Sequence, residues 1–119
     1  MLWLIQKKNR YAEFIEHLNR YVENEPMDEE AWVELGELYC ERSNFMKAAF
    51  CYEELLILSP NNDNYTLRLA EIYLTENPKA NSDKAIKYLS YLISKRPDNL
   101  RALWVLYRAC STRKGEEHD

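Results

Sequence analysis

The residues between positions 32 and 60 constrain the fold of this chain more than any other part of it. Trp32, Leu35, Gly36 and Tyr39 fall at i, i+3, i+4 and i+7, the spacing of one helix face. After a short break, Ala48, Tyr52 and Leu55 mark a second such face, and Pro60 closes the block. The prolines carry the same message, because Pro26, Pro60 and Pro97 recur at intervals of 34 and 37 residues. A helix pair that recurs with this period predicts a helical solenoid, in which each pair hides its apolar stripe only against its neighbours.

The rest of the composition agrees with an all-α chain. Among 119 residues there are only two glycines, and strand-like alternation is scarce. Nine tyrosines and three tryptophans supply large amphipathic side chains for helix packing. The net charge of −4 argues against nucleic acid, whose recognition needs clustered Lys and Arg. The densest basic group, Lys7, Lys8 and Arg10, sits where a turn is expected. Cys40, Cys51 and Cys110 are odd in number, lie inside helical patterns and lack metal-ligand spacing, so they read as free thiols in a reducing compartment. Met1 to Ile5 is apolar, but Lys7 and Lys8 follow it. That is the reverse of a secretory signal and too short to cross a bilayer. A cytoplasmic protein is expected, without direct membrane insertion.

Along the chain, residues 2–8 predict the end of one helix, broken at Lys8-Asn9-Arg10. Tyr11, Phe14, Ile15, Leu18 and Val22 mark a second, ending near Asn24. Asp28 predicts the N-cap of a helix over Glu29 to about Arg42, with Glu29 and Glu30 favoured by the helix dipole. Gly36 permits close approach of the paired helix, Phe45 to Leu58, across a turn at Ser43-Asn44. The next unit opens at Asn61-Asn62-Asp63, with Thr66, Leu69, Ala70 and Tyr73 in the slots of Trp32, Leu35, Gly36 and Tyr39. Residues 77–81 predict a lengthened turn in which Pro78 stops one helix and Asn81 or Ser82 caps the next. After Asp98, another predicted cap, Leu103, Leu106, Tyr107 and Cys110 take the same slots again. The expected organisation is a repeat domain over 1–112: a half repeat 1–28, repeats 29–62 and 63–99, and a terminal helix 100–112. A frayed polar tail is expected over 113–119.

The blocks Glu30 to Tyr39 and Lys47 to Leu56, with Arg101-Ala102-Leu103, resemble the tetratricopeptide proteins of the ER membrane protein complex subunit 2 family. The resemblance runs from about Tyr11 to Tyr107. It implies about seven antiparallel helices in a right-handed superhelical arc, without enzymatic activity or cofactor. It also implies a scaffold, peripheral on the ER membrane through its partners, that holds cytosolic segments of membrane-spanning subunits of an insertase. The alternative within the same fold is an adaptor that captures short peptides of soluble partners.

Tetratricopeptide solenoids bind along a concave surface lined by the first helix of each pair. The frame places Glu30, Val33, Glu37, Cys40 and Glu41 there from one unit, and Asn64, Leu67, Glu71, Leu74 and Thr75 from the next. Arg101, Trp104 and Arg108 follow on the last helix, and Trp3 extends the row at the other end. The floor is expected to be apolar at Val33, Leu67 and Leu74, the middle acidic, and one end basic. That suits an extended or helical segment with apolar anchors and basic character. It does not suit a terminal carboxylate, because Val33 and Glu37 occupy the slots where such a clamp needs Asn and Lys. A cysteine nucleophile would need His17 or His118 nearby, and the Glu53-Glu54 and Glu116-Glu117 pairs read as solvated charge rather than acid/base machinery. The apolar ends around Trp3 and Trp104 also suit self-association of the chain.

Overall fold

A computed structural model of the chain describes the backbone of residues 2–118 and the side chains of residues 10–112. Among the described residues there are six α-helices and no strand. The chain divides into two compact units, residues 1–58 and 59–119.

In the first unit, α1 (Leu2–Asn24), α2 (Glu29–Glu41) and α3 (Phe45–Leu58) follow one another. The break expected at Lys8-Asn9-Arg10 is absent: α1 continues through it, so there are six helices rather than seven. The physical reason is that nothing in those residues stops a helix. Lys and Arg are good helix formers and a single Asn costs less than about 1 kcal/mol, whereas Gly or Pro would be needed for a reliable break. Helix α2 starts where the cap chemistry predicts, with Asp28 Oδ1 accepting from the Ala31 N–H at 3.2 Å. Trp32 Nε1 donates to the Pro26 carbonyl at 2.9 Å, which pins the α1–α2 turn onto α2.

Ser43 closes α2 with φ of 59°, in the left-handed region. The Asn44 N–H donates to the Tyr39 carbonyl at 2.8 Å and the Ser43 N–H to the Cys40 carbonyl at 3.0 Å. These two bonds form a Schellman motif with serine at the position usually held by glycine. The chain reverses here, and α3 packs back on α2. Gly36 lies under the Tyr52 ring, so the expected close crossing is present.

The second unit comprises α4 (Asp63–Glu76), α5 (Pro78–Lys95) and α6 (Leu100–His118). The lengthened turn expected over residues 77–81 is instead the beginning of α5. Asn77 ends α4 and caps α5 at once: its N–H donates to the Tyr73 carbonyl at 3.2 Å, and its Oδ1 accepts from the Ala80 N–H at 3.2 Å. Pro78 occupies the first turn of α5, where its missing N–H is no loss and its fixed φ suits a helix. Asn81, expected as the cap, bonds the Tyr73 carbonyl at 3.0 Å and Glu76 at 2.6 Å through Nδ2. Asn99, not Asp98, caps α6, with Oδ1 accepting from Ala102 N–H at 3.1 Å. Helix α6 runs on to His118, through most of the residues expected as a frayed tail.

The core of this unit joins all three helices. Leu67, Ala70 and Leu74 of α4 meet Ala85, Leu89 and Leu92 of α5 and Ala102, Val105 and Ala109 of α6. The four alanines are fully buried and let the helix backbones approach closely, while the leucines fill the space between. Lys95 lies 3.6 Å from Asp63 and Arg96 also pairs with it, tying the end of α5 to the start of α4.

Candidate functional site

Each predicted groove residue has a definite place, except Trp3, whose side chain lies outside the described residues. On α2, Glu30 and Glu41 are exposed and Val33 and Glu37 half-buried. Their common face arises from the helical period, since the opposite stripe of Trp32, Leu35, Gly36 and Tyr39 is committed to packing.

Val33, Glu37 and Glu41 line a real concavity. Together with Glu34 and Leu38 of α2, and Arg10, Tyr11 and Phe14 of α1, they surround a groove of about 530 Å³. Three carboxylates rim it, and Val33, Leu38, Tyr11 and Phe14 provide apolar wall. Phe14, read from the sequence as core, is 51% exposed. The signal for its true role is the width of the α1 stripe. Ile15, Leu18 and Val22 already fill one face, and Phe14 lies on its flank, more than one neighbouring helix can cover.

In the second unit the outcome is divided. Leu67 and Leu74, expected on an open groove floor, are core residues at 5% and 3% exposure. They are corrected for a physical reason: α6 packs on them, and Ala102 and Ala109 are small enough to let it close down. Asn64 and Thr75 are exposed. Glu71 is brought together with Arg101, whose Nη2 lies 2.7 Å from Glu71 Oε1 as an ion pair rather than an aligned hydrogen bond. Arg68 stands 3.6 Å from the other carboxylate oxygen. Glu71 is thus neutralised by two guanidinium groups and adds no net negative charge to its surroundings.

Trp104 is 66% exposed and stacks on Tyr107, with ring centroids 5.9 Å apart and an interplanar angle of 8°. With Leu100, Arg101 and Leu103 they form an open, largely apolar face on α6. Arg108 is exposed. Leu103 and Tyr107, expected to be packed, belong to this open face. The buried stripe of α6 is instead Ala102, Val105 and Ala109, which faces α4 and α5.

The thiols behave as helix-packing groups. Cys51 is fully buried, and burial, helped by neighbouring Cys40 and Glu54, pushes its pKa up to about 12, so the thiolate nucleophile is suppressed. Among the described residues no group of three or more His, Cys, Asp or Glu is arranged to hold a metal ion. Nor is any helix long and apolar enough to cross a membrane.

Comparison with known proteins agrees with this architecture. A family profile described as "Cytochrome c-type biogenesis protein H TPR domain" matches residues 7–115. ER membrane protein complex subunit 2 of Xenopus tropicalis is 41% identical over 100 residues, which cover 84% of this chain and 34% of that protein. TPR repeat protein oca3 of Schizosaccharomyces pombe is 35% identical over 72 residues, 60% of this chain and 26% of that one. The chain therefore spans about a third or less of the length of these relatives. A solved structure titled "MamA RS-1 ArsTM double mutant" superposes with a TM-score of 0.73 at 19% identity, covering 94% of this chain and 61% of that one, a likeness of fold. Helix pairs at the repeat period, the Gly36 crossing and the profile match together establish that the chain belongs to the tetratricopeptide-repeat family, with a sequence that resembles ER membrane protein complex subunit 2.

Proposed function

We propose that the chain is a non-enzymatic scaffold segment of the ER membrane protein complex, located at the cytosolic side of the ER membrane, where it holds cytosolic segments of other subunits. The observation that carries this reading is the groove of unit 1, apolar at Val33, Leu38 and Phe14 and rimmed by Glu34, Glu37 and Glu41. A solvated helix face gains nothing from an apolar floor, whereas a bound segment buries it at about 25 cal/mol per Å². The carboxylates select against acidic segments and favour one that carries Lys or Arg beside its apolar anchors. Glu30 continues the acidic row on α2. Asn64, Glu71, Arg101, Trp104 and Arg108 are the corresponding contact residues of unit 2, where the arginines favour acidic groups on the partner.

The test is affinity purification of the tagged chain from detergent-solubilised ER membranes. Membrane-embedded subunits are expected to follow it, and Glu37→Lys is expected to reduce their recovery several-fold. Recovery of the chain with soluble peptides or soluble proteins alone would instead favour the adaptor reading and overturn this one.

A further inference from the structure

Charge is divided unevenly along the chain. Residues 1–58 carry six Lys and Arg against twelve Asp and Glu, whereas residues 59–119 carry ten against eight. The first unit is therefore acidic and the second basic, an asymmetry that the overall charge of −4 conceals. Within the basic half, α5 is strongly one-sided: it holds Lys79, Lys84, Lys87 and Lys95 against one carboxylate, Asp83.

The helical period gathers three of these cations on one side. Ala85, Leu89 and Leu92 turn one face of α5 into the core of unit 2, and Ile86 and Ile93 pack against the same cluster. Both α4 and α6 lie on that side. Away from it, Lys84, Lys87, Tyr91 and Lys95 recur at i, i+3, i+7 and i+11, all exposed. The row spans about 16 Å of helix at about 1.5 Å per residue, with Asp83 on its flank. Lys84 stands 5.6 Å from the centre of the Tyr73 ring, and Lys95 4.5 Å from that of Tyr91. Such a contact orients an ammonium group without cancelling its charge. At the end of the row Asp63 serves Lys95 and Arg96 together, one carboxylate against two cations, so the positive excess persists there.

We propose that this face of α5 rests directly on a membrane surface that carries anionic lipid headgroups, lying on the bilayer and not entering it. Charge complementarity selects this occupant, since each Lys held near an anionic surface strengthens binding about fivefold. The shape of the face agrees. The exposed side of a helix is a ridge, which presents its cations outward to a plane, whereas gripping a single acidic segment calls for a groove. Lysine suits headgroups as well, because a compact charge on a flexible stem meets diffuse negative charge without the fixed geometry of a guanidinium fork. Tyr91, exposed in the middle of the row, supplies an amphipathic ring of the kind favoured at headgroup level. The inference rests on the charge distribution of unit 2, and not on the function proposed above.

Co-sedimentation of the 119-residue chain with lipid vesicles at low ionic strength tests it. The native chain is expected to bind vesicles of phosphatidylcholine with about 30 mol% phosphatidylserine, to leave phosphatidylcholine vesicles unbound, and to dissociate as salt is added. Lys84→Glu with Lys87→Glu is expected to weaken binding at least about tenfold, and Asp83→Lys to strengthen it about fivefold or more, a gain that misfolding could not mimic. Arg20→Glu with Lys47→Glu, exposed positions of unit 1, changes the net charge as much as the first pair and is expected to leave binding within about twofold of native. No binding to the anionic vesicles overturns the proposal, as does equal binding to both kinds. So does a unit 1 pair that weakens binding as much as the α5 pair, because net charge and not this face would then be responsible. Binding of poly-glutamate without binding of the vesicles assigns the face to an acidic protein segment and also overturns it.

Discussion

The Tyr52 ring sits so close to Gly36 that a Cβ on that glycine would come within 2.9 Å of Tyr52 Cε2, and within 3.3 Å of Cys51 Cβ. Both neighbours are buried, so neither has free space to retreat into. Gly36→Ala brings opposed effects. Alanine gains about 1 kcal/mol of helix propensity, while overpacking at the crossing costs about 1–3 kcal/mol. The clash is expected to prevail, giving net destabilisation in urea unfolding, and a stabilised variant would show that the crossing is looser than described.

Ser43 is expected to respond in the opposite direction. It holds the left-handed position of the Schellman motif that ends α2, with φ of 59°. Ser43→Gly removes a Cβ penalty of about 1–2 kcal/mol and restores some unfolded-state entropy, so a net gain of about 0.5–1 kcal/mol is expected. Ser43→Val at the same site should lose stability, because a branched side chain suits that backbone least. Urea midpoints of the two variants on either side of the native value would bear this out.

A second cap reads out in pH. The Tyr21 hydroxyl donates to Asp28 Oδ2 at 2.7 Å. That bond, aided by the Ala31 N–H, holds the Asp28 carboxyl below its ordinary 3.8, and bonding to Asp28 holds the Tyr21 hydroxyl above its ordinary 10.0. The lowered carboxyl contributes stability that is complete above its unfolded value and is lost as pH falls through the folded one. The raised phenol contributes stability that is complete below 10.0 and is lost as pH rises through its folded value. The stability difference between the native chain and Tyr21→Phe should therefore be flat from about pH 4 to 10 and shrink at both ends. Urea midpoints across that range measure it, and a difference that persists unchanged in acid would contradict the bond.

Cys51 gives a prediction about reactivity. With its pKa pushed up to about 12 and no exposed surface, it should resist alkylation at pH 8 in the folded protein. Half-buried Cys40 and Cys110 should react first. Mass spectrometry of partly alkylated protein checks the order, and early labelling of Cys51 would show that the α2–α3 interface opens readily.

Legibility of the fold from sequence followed the range of the forces involved. The α2–α3 pair could be read because its signals are local: an Asp cap, a glycine facing an aromatic, and two apolar stripes in phase. Pro78 was ambiguous because proline ends one helix and begins another with equal ease, and only the Asn77 hydrogen bonds decide between the two. Asp98 and Asn99 are adjacent and equally good caps, so the choice lies in backbone angles that residue type does not encode. On α4, the groove frame placed Leu67 and Leu74 on the inner face, but their burial depends on α6, a partner distant in sequence. Phe14 and Tyr107 show the converse. An apolar residue at a plausible packing position stays exposed where no described residue covers it.

The most direct measurement is photo-crosslinking in ER membranes with a reactive residue at Glu37 on the groove, and a control at exposed Ile57 on α3. An occupied groove predicts a discrete adduct from position 37 to a cytosolic segment of a membrane-embedded subunit, and none from position 57. Equal labelling from the two positions, or no adduct from position 37, would contradict the reading of this surface as a binding site.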